Sequence, residues 1–116
     1  MVKSQIRLDR TFEALANPTR RAILARLERE GSASISALAE PLEIKLPAVM
    51  KHLGILENAG LIGRSKCGRV VTVKLSPGPM RAAMEWLQRY ERFWSTGLDR
   101  LTAYAETKEA EERKRK

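Results

Sequence analysis

Apolar residues recur along this chain at two different periods, and the change of period marks its architecture. Residues 6–16 place Leu8, Phe12 and Leu15 at helical spacing, which predicts a short amphipathic first helix. Asn17-Pro18 then opens a second helix, because Asn caps free amides and Pro is tolerated at the first helical position. Ile23, Leu24 and Leu27 form its stripe, Arg20, Arg21, Arg26 and Arg29 lie around the outside, and Gly31 ends it. Ser34 is placed to cap a third helix through Leu38 and Ala39, near whose end Pro41 falls. After the link Leu42–Lys45 comes LPAVMKHLGIL, Leu46 to Leu56. There Val49, Leu53 and Leu56 recur at i, i+4 and i+7 and point inward, while Leu46, Pro47, Met50, Lys51 and Gly54 share the other side. Two short helices joined by so tight a turn must cross steeply, as in a helix-turn-helix.

Beyond Gly60 the period falls to two. Val71, Val73 and Leu75 alternate with Val70, Thr72 and Lys74, so Leu61–Lys66 and Arg69–Leu75 read as a hairpin turning at Cys67-Gly68. Such a hairpin must pack on the helices, and its tip carries Arg64, Lys66 and Arg69. Ser76-Pro77-Gly78-Pro79 breaks the strand and launches a last helix from Met80 to about Thr107. Its length, roughly 40 Å, exceeds what a domain this small covers. Met80, Ala83, Leu87, Tyr90, Trp94, Leu101 and Tyr104 keep an apolar seam, widened by Trp86, Phe93 and Leu98. Four of the six aromatic residues fall between Trp86 and Trp94, a concentration that favours a subunit contact over ordinary core. The expected division is one domain over residues 1–107, with the last helix from about 79, and a charged, fraying tail over 108–116.

Charge sharpens this picture. The net charge is +8 and the pI about 10.2, which points to a polyanionic partner. Between Glu43 and Leu75 the only acids are Glu43 and Glu57, against Lys45, Lys51, Arg64, Lys66, Arg69 and Lys74. A small helix with no acid on its outer side fits a DNA major groove about 12 Å wide. Ser34 and Ser36 stand where helix amides can meet a phosphate, although capping is role enough for Ser34. Arg20, in the first turn of its helix, has two options, a phosphate or a neighbouring acid. An alternative reading is an interaction module whose basic wing docks an acidic protein surface.

Other classes find little support. There is no apolar run of membrane-spanning length, and the N-terminus MVKSQIRLDR lacks a signal core, so no membrane role and cytoplasmic residence are expected. Cys67 has no internal disulfide partner and His52 is a lone histidine, better read as packed or phosphate-facing than as a ligand. No His and Cys pair, paired carboxylates or phosphate loop suggests an enzyme.

The order of these elements resembles the ArsR/SmtB winged-helix transcriptional repressors. The resemblance is carried by FEALANPTRRAILARL at Phe12 to Leu27, AVMKHLGILENAGLI at Ala48 to Ile62 and the Gly68-Arg69 hairpin. LPAVMKHL together with WLQRYERFWSTGLDRL at Trp86 to Leu101 is similar to a metal-free subgroup. The fold class implied is mainly α with a β-hairpin wing, a winged helix-turn-helix dimerising through its N- and C-terminal helices. The function implied is repression by a homodimer on a palindromic operator of double-stranded DNA, with no cofactor. DNA contacts are expected from Lys45, Leu46, Pro47, Ala48, Met50, Lys51, Ser34, Ser36, Arg64, Lys66, Arg69 and Arg20, and dimer contacts from Leu8, Phe12, Leu15, Leu87, Tyr90, Trp94, Leu98 and Leu101. Small hydroxyl residues common in the family are replaced here by Lys45 and Met50, which shifts readout toward Leu46, Pro47 and Met50 on thymine methyls. The family's metal motif would fall on Ile35-Ser36-Ala37-Leu38, which offers no soft ligand, and the last helix has no histidine, so no metal site is expected.

Overall fold

The structure, a computed structural model, describes the backbone of residues 2–115 and the side chains of residues 5–114. In chain order it comprises α1 (Val2–Leu15), α2 (Pro18–Glu30), β1 (Ser32–Ser34), α3 (Ile35–Ala39), a 3-10 turn (Glu40–Leu42), α4 (Leu46–Asn58), β2 (Ile62–Cys67), β3 (Val70–Leu75) and α5 (Gly78–Arg115). The mainly helical winged architecture is the one the periodicity predicts, with one strand more. β1 pairs antiparallel with β3 through Ala33 opposite Val73, which makes a three-stranded sheet in the order β1-β3-β2. Three residues of Ser-Ala-Ser carry no alternating apolar signal, and only the burial of Ala33 ties them to the core.

The helix boundaries follow from local chemistry. The Asn17 carboxamide oxygen accepts from the amides of Thr19 at 2.9 Å and Arg20 at 3.2 Å, and the Ser34 hydroxyl accepts from the Ala37 amide at 3.1 Å. Gly31 takes a φ of 82° and returns its N–H to the Leu27 carbonyl, closing α2. In the hairpin Cys67 pairs with Val70, so the turn is Gly68-Arg69, one residue later than expected. Gly68, with φ of 63°, supplies the positive dihedral at the first turn position, which leaves Cys67 inside β2.

Contacts divide the chain within α5, between Ala83 and Met84. In the unit up to Ala83, Val49, Leu53 and Leu56 of α4 are each 0% exposed and pack with Ile23, Leu27, Leu38, Leu61 and Val73. Each buried aliphatic side chain of this kind contributes about 1.5–3 kcal/mol. The inward face of α4 is therefore anchored, and its orientation is set by the core. The unit from Met84 onward is one continuous helix, which runs to Arg115. Leu87, Tyr90, Trp94, Leu98 and Leu101 are all exposed on it, with the Trp86 and Tyr90 rings 5.0 Å apart and the Phe93 and Trp94 rings 5.2 Å apart.

Two glycines of the unit up to Ala83 predict opposite responses. Gly60 has φ of 75° and an added Cβ would meet the Pro79 ring at 3.0 Å, so Gly60→Ala should lower unfolding stability by at least about 1 kcal/mol. Gly54 is interior to α4 with nothing within 4 Å of an added Cβ, and Gly54→Ala should raise stability by about 0.5–1 kcal/mol. Denaturant titration of both variants measures the two signs.

Candidate nucleic-acid interface

The outer side of α4 begins at Lys45, which caps the helix by backbone geometry alone and leaves its ammonium group exposed. Leu46, 55% exposed, Pro47 and Lys51 follow on the surface, whereas Ala48 is half-buried. Met50 does not stand clear, because its side chain packs partly against the core. On the wing Lys66 and Arg69 are exposed at the hairpin end. Arg64 is drawn inward: its Nε lies 2.9 Å from a Glu57 carboxylate oxygen, without the alignment of a hydrogen bond, so the contact is an ion pair between β2 and α4. Ser36 is exposed at the start of α3, and Ser34 is occupied as its cap. The apolar candidates on α1 are less open, since Leu8 and Phe12 are half-buried and Leu15 packs partly against the core.

Arg20 departs from the sequence expectation, for its partners are carbonyls and an imidazole and not an acid. It is only 9% exposed, with Nε donating to the Ala14 carbonyl at 2.8 Å and Nη2 to the Glu13 carbonyl at 2.9 Å. Those carbonyls belong to the last turn of α1, where the helix runs out of its own donors, and Glu13 also accepts from the Ala16 amide at 3.1 Å. Arg21 completes the arrangement by donating to the Leu15 carbonyl at 2.8 Å. The remaining arm of Arg20, Nη1, lies 3.2 Å from Nδ1 of His52 on α4. One guanidinium thus joins the end of α1, the start of α2 and the DNA-facing helix candidate. Nothing in the spacing of the sequence reveals this, since two of the three acceptors are backbone carbonyls.

A second arginine acts similarly. Arg26 of α2 pairs with Glu30 at 3.1 Å and donates through Nη1 to the Ala37 carbonyl, so α2 also holds α3. Cys67 is an exposed free thiol. Among the described residues, no three His, Cys, Asp or Glu side chains gather closely enough to hold a metal ion, and no helix is long and apolar enough to cross a membrane.

An anchored helix with an exposed basic side, preceded by a crossing helix and followed by a basic hairpin, defines a winged helix-turn-helix DNA-binding protein. The chain belongs to the ArsR family of helix-turn-helix transcriptional regulators, which are not enzymes. A family described as a helix-turn-helix domain matches residues 15–63. The chain is 36% identical over 103 residues to the HTH-type transcriptional regulator Rv2034 of Mycobacterium tuberculosis, covering 89% of this chain and 90% of that one. It is 28% identical to the transcriptional repressor SdpR of Bacillus subtilis, over 72% and 91% of the two chains. The crystal structure of the ArsR family transcriptional regulator RHA00566 superposes with a TM-score of 0.72 at 43% identity, covering 78% of this chain and 93% of that one.

Burial first, then the charges of Arg20 and Lys51, hold the His52 imidazole below its ordinary value of 6.5. The unfolded chain therefore binds the proton first as pH falls. The stabilising contribution is complete above about pH 6.5 and is lost as pH drops from there through the lowered folded value. Between about pH 7.5 and 5.5 the unmodified protein should lose more stability than His52→Phe, read as the difference in denaturation midpoints. Parallel pH profiles would exclude a titrating ring at this position.

Proposed function

We propose that this chain is a repressor that binds a palindromic operator as a homodimer, works in the cytoplasm and has no metal sensor site. α4 enters the major groove, with Leu46, Pro47, Ala48 and Met50 near base edges and Lys45 and Lys51 on phosphates. Lys66 and Arg69 meet the backbone from the wing, with Ser36 at the start of α3. The observation that carries this reading is the asymmetry of α4: Val49, Leu53 and Leu56 are fully buried on one side, while Leu46 and Lys51 are exposed on the other with no acid among them. The half-buried Arg64 serves the wing's attachment more than its reach. The metal-free reading rests on residue types, because the chain offers a single cysteine and a single histidine.

The exposed apolar residues of α5 support pairing, with Leu87, Tyr90, Trp94, Leu98 and Leu101 on a second copy's helix and Leu8, Phe12 and Leu15 of α1 contributing where they are open. Two reading helices about 34 Å apart would match one turn of duplex.

Binding to a duplex selected from a random pool tests the reading, with a shuffled duplex beside it. Lys51→Ala should weaken both and lower the salt slope by about 0.9. Leu46→Ala should weaken the selected duplex more than the shuffled one, by roughly 1–3 kcal/mol of discrimination. Equal losses on both duplexes would remove Leu46 from base readout. Leu98→Glu should convert a dimer to a monomer in sedimentation and depress DNA affinity with it; a chain that is monomeric before substitution would overturn the pairing.

A further inference from the structure

We propose that His52 donates its Nε2–H to a DNA backbone phosphate, and that Arg20 is the positioning residue that holds the ring's proton on that nitrogen. The proposal rests on the DNA-binding reading above and deepens it. It starts from the contact of 3.2 Å between Arg20 Nη1 and His52 Nδ1. A guanidinium remains protonated and has donors only. Nδ1 must then present its lone pair, so the ring is neutral and its single hydrogen sits on Nε2. A free neutral imidazole exchanges between two tautomers, and here one of them is selected by a neighbour that cannot accept a proton.

The selecting group is itself fixed. Arg20 is nine-tenths buried, and its other two arms are bonded to the Ala14 and Glu13 carbonyls, so it cannot turn away to satisfy the ring differently. On the far side of the ring, Nε2 has no hydrogen-bond partner among the described residues, yet it is not among the buried side-chain nitrogens and oxygens left without one. It therefore meets solvent. The ring sits on α4 next to the exposed Lys51, on the element whose outer side is the candidate DNA surface. The result is a directed neutral donor beside a mobile positive charge: Lys51 attracts the backbone, and His52 fixes its distance. Phosphate contacts of this kind set register without reading sequence.

A neutral donor releases no counterion, which separates its signature from that of a lysine. His52→Phe should weaken binding by about twofold to tenfold on selected and shuffled duplexes alike, with the salt slope unchanged. His52→Gln, which keeps an amide donor at similar reach, should recover most of the loss. The tautomer is read directly by ¹⁵N NMR, since the chain contains one histidine. The unmodified protein should show a protonated Nε2 and an accepting Nδ1, and Arg20→Met should move the pattern toward a mixture. Because Arg20 also holds the end of α1, the spectrum of the unmodified protein stands as a test by itself, and a proton on Nδ1 overturns the assignment. His52→Phe binding as tightly as the unmodified protein removes the phosphate contact and leaves the DNA reading standing. No binding by the unmodified protein to either duplex in dilute buffer removes both.

Discussion

A single buried cation, the guanidinium of Arg20, constrains the DNA-binding unit. A charge withdrawn from water is tolerated only where acceptors surround it. Here the acceptors are two carbonyls at the end of α1 and the imidazole of His52 on α4. The constraint runs in both directions. α1 ends without any basic residue in its own last turn, and besides the Ala16 amide on the Glu13 carbonyl its terminal carbonyls take donors from Arg20 and Arg21 of α2. α4 has no side-chain cap at Lys45, and its attachment comes from its buried face, from His52 and from the Glu57 ion pair with Arg64. The same residue that closes one helix therefore also contacts another, and the packed core that orients α4 is supplemented by a directional polar contact.

This division of labour changes how the net charge should be read. Of the basic residues that the sequence offered for DNA, Arg20 is consumed by the interior and Arg64 by Glu57. Arg26, left on the outside by the sequence pattern, holds α3. The exposed cations of the proposed reading surface are chiefly lysines, Lys45, Lys51 and Lys66, with Arg69 at the turn. The distribution suits the chemistry of the two side chains. An arginine's planar fork satisfies several fixed carbonyls at once, whereas a lysine is a hydrated point charge on a flexible stem. Arginine builds the scaffold and lysine faces the solvent side from which a phosphate would arrive.

Much of this was legible in the sequence, for identifiable reasons. The helix starts at Asn17 and Ser34 were readable because capping is local, and the buried face of α4 because its period is. β1 was not, since a three-residue strand has no period to detect and exists only by pairing with β3. The turn was displaced by one residue because Gly68 satisfies either register on local grounds, and only the pairing of Cys67 with Val70 decides. Among site residues, Leu46, Lys51, Lys66 and Arg69 lie where surface patterning puts them. Arg20 and Arg64 do not, because a sequence records that a residue is cationic and is silent on which carbonyl or carboxylate the fold will bring to it. Met50 is intermediate: helical phase puts it outside, and the width of the core draws its flexible stem partly in.

The small number of free cations bears on why pairing matters to the proposed function. Four exposed positive side chains on one reading surface give only a modest salt-dependent affinity, since each neutralised phosphate contributes about 0.9 to the slope and none of these contacts by itself reads sequence. Joining two such surfaces makes the second engagement intramolecular, at an effective concentration set by the connecting structure, and raises affinity by orders of magnitude without a new contact. It also imposes a spacing requirement that random duplex meets poorly. A weakly charged reading surface is thus an asset in a paired protein: selectivity grows when each half is too weak to hold alone. In the proposed dimer the exposed aromatic and aliphatic residues of α5 would supply the apolar area that pairing needs, and the directional hold of Arg20 on α4 would keep each reading helix in fixed register.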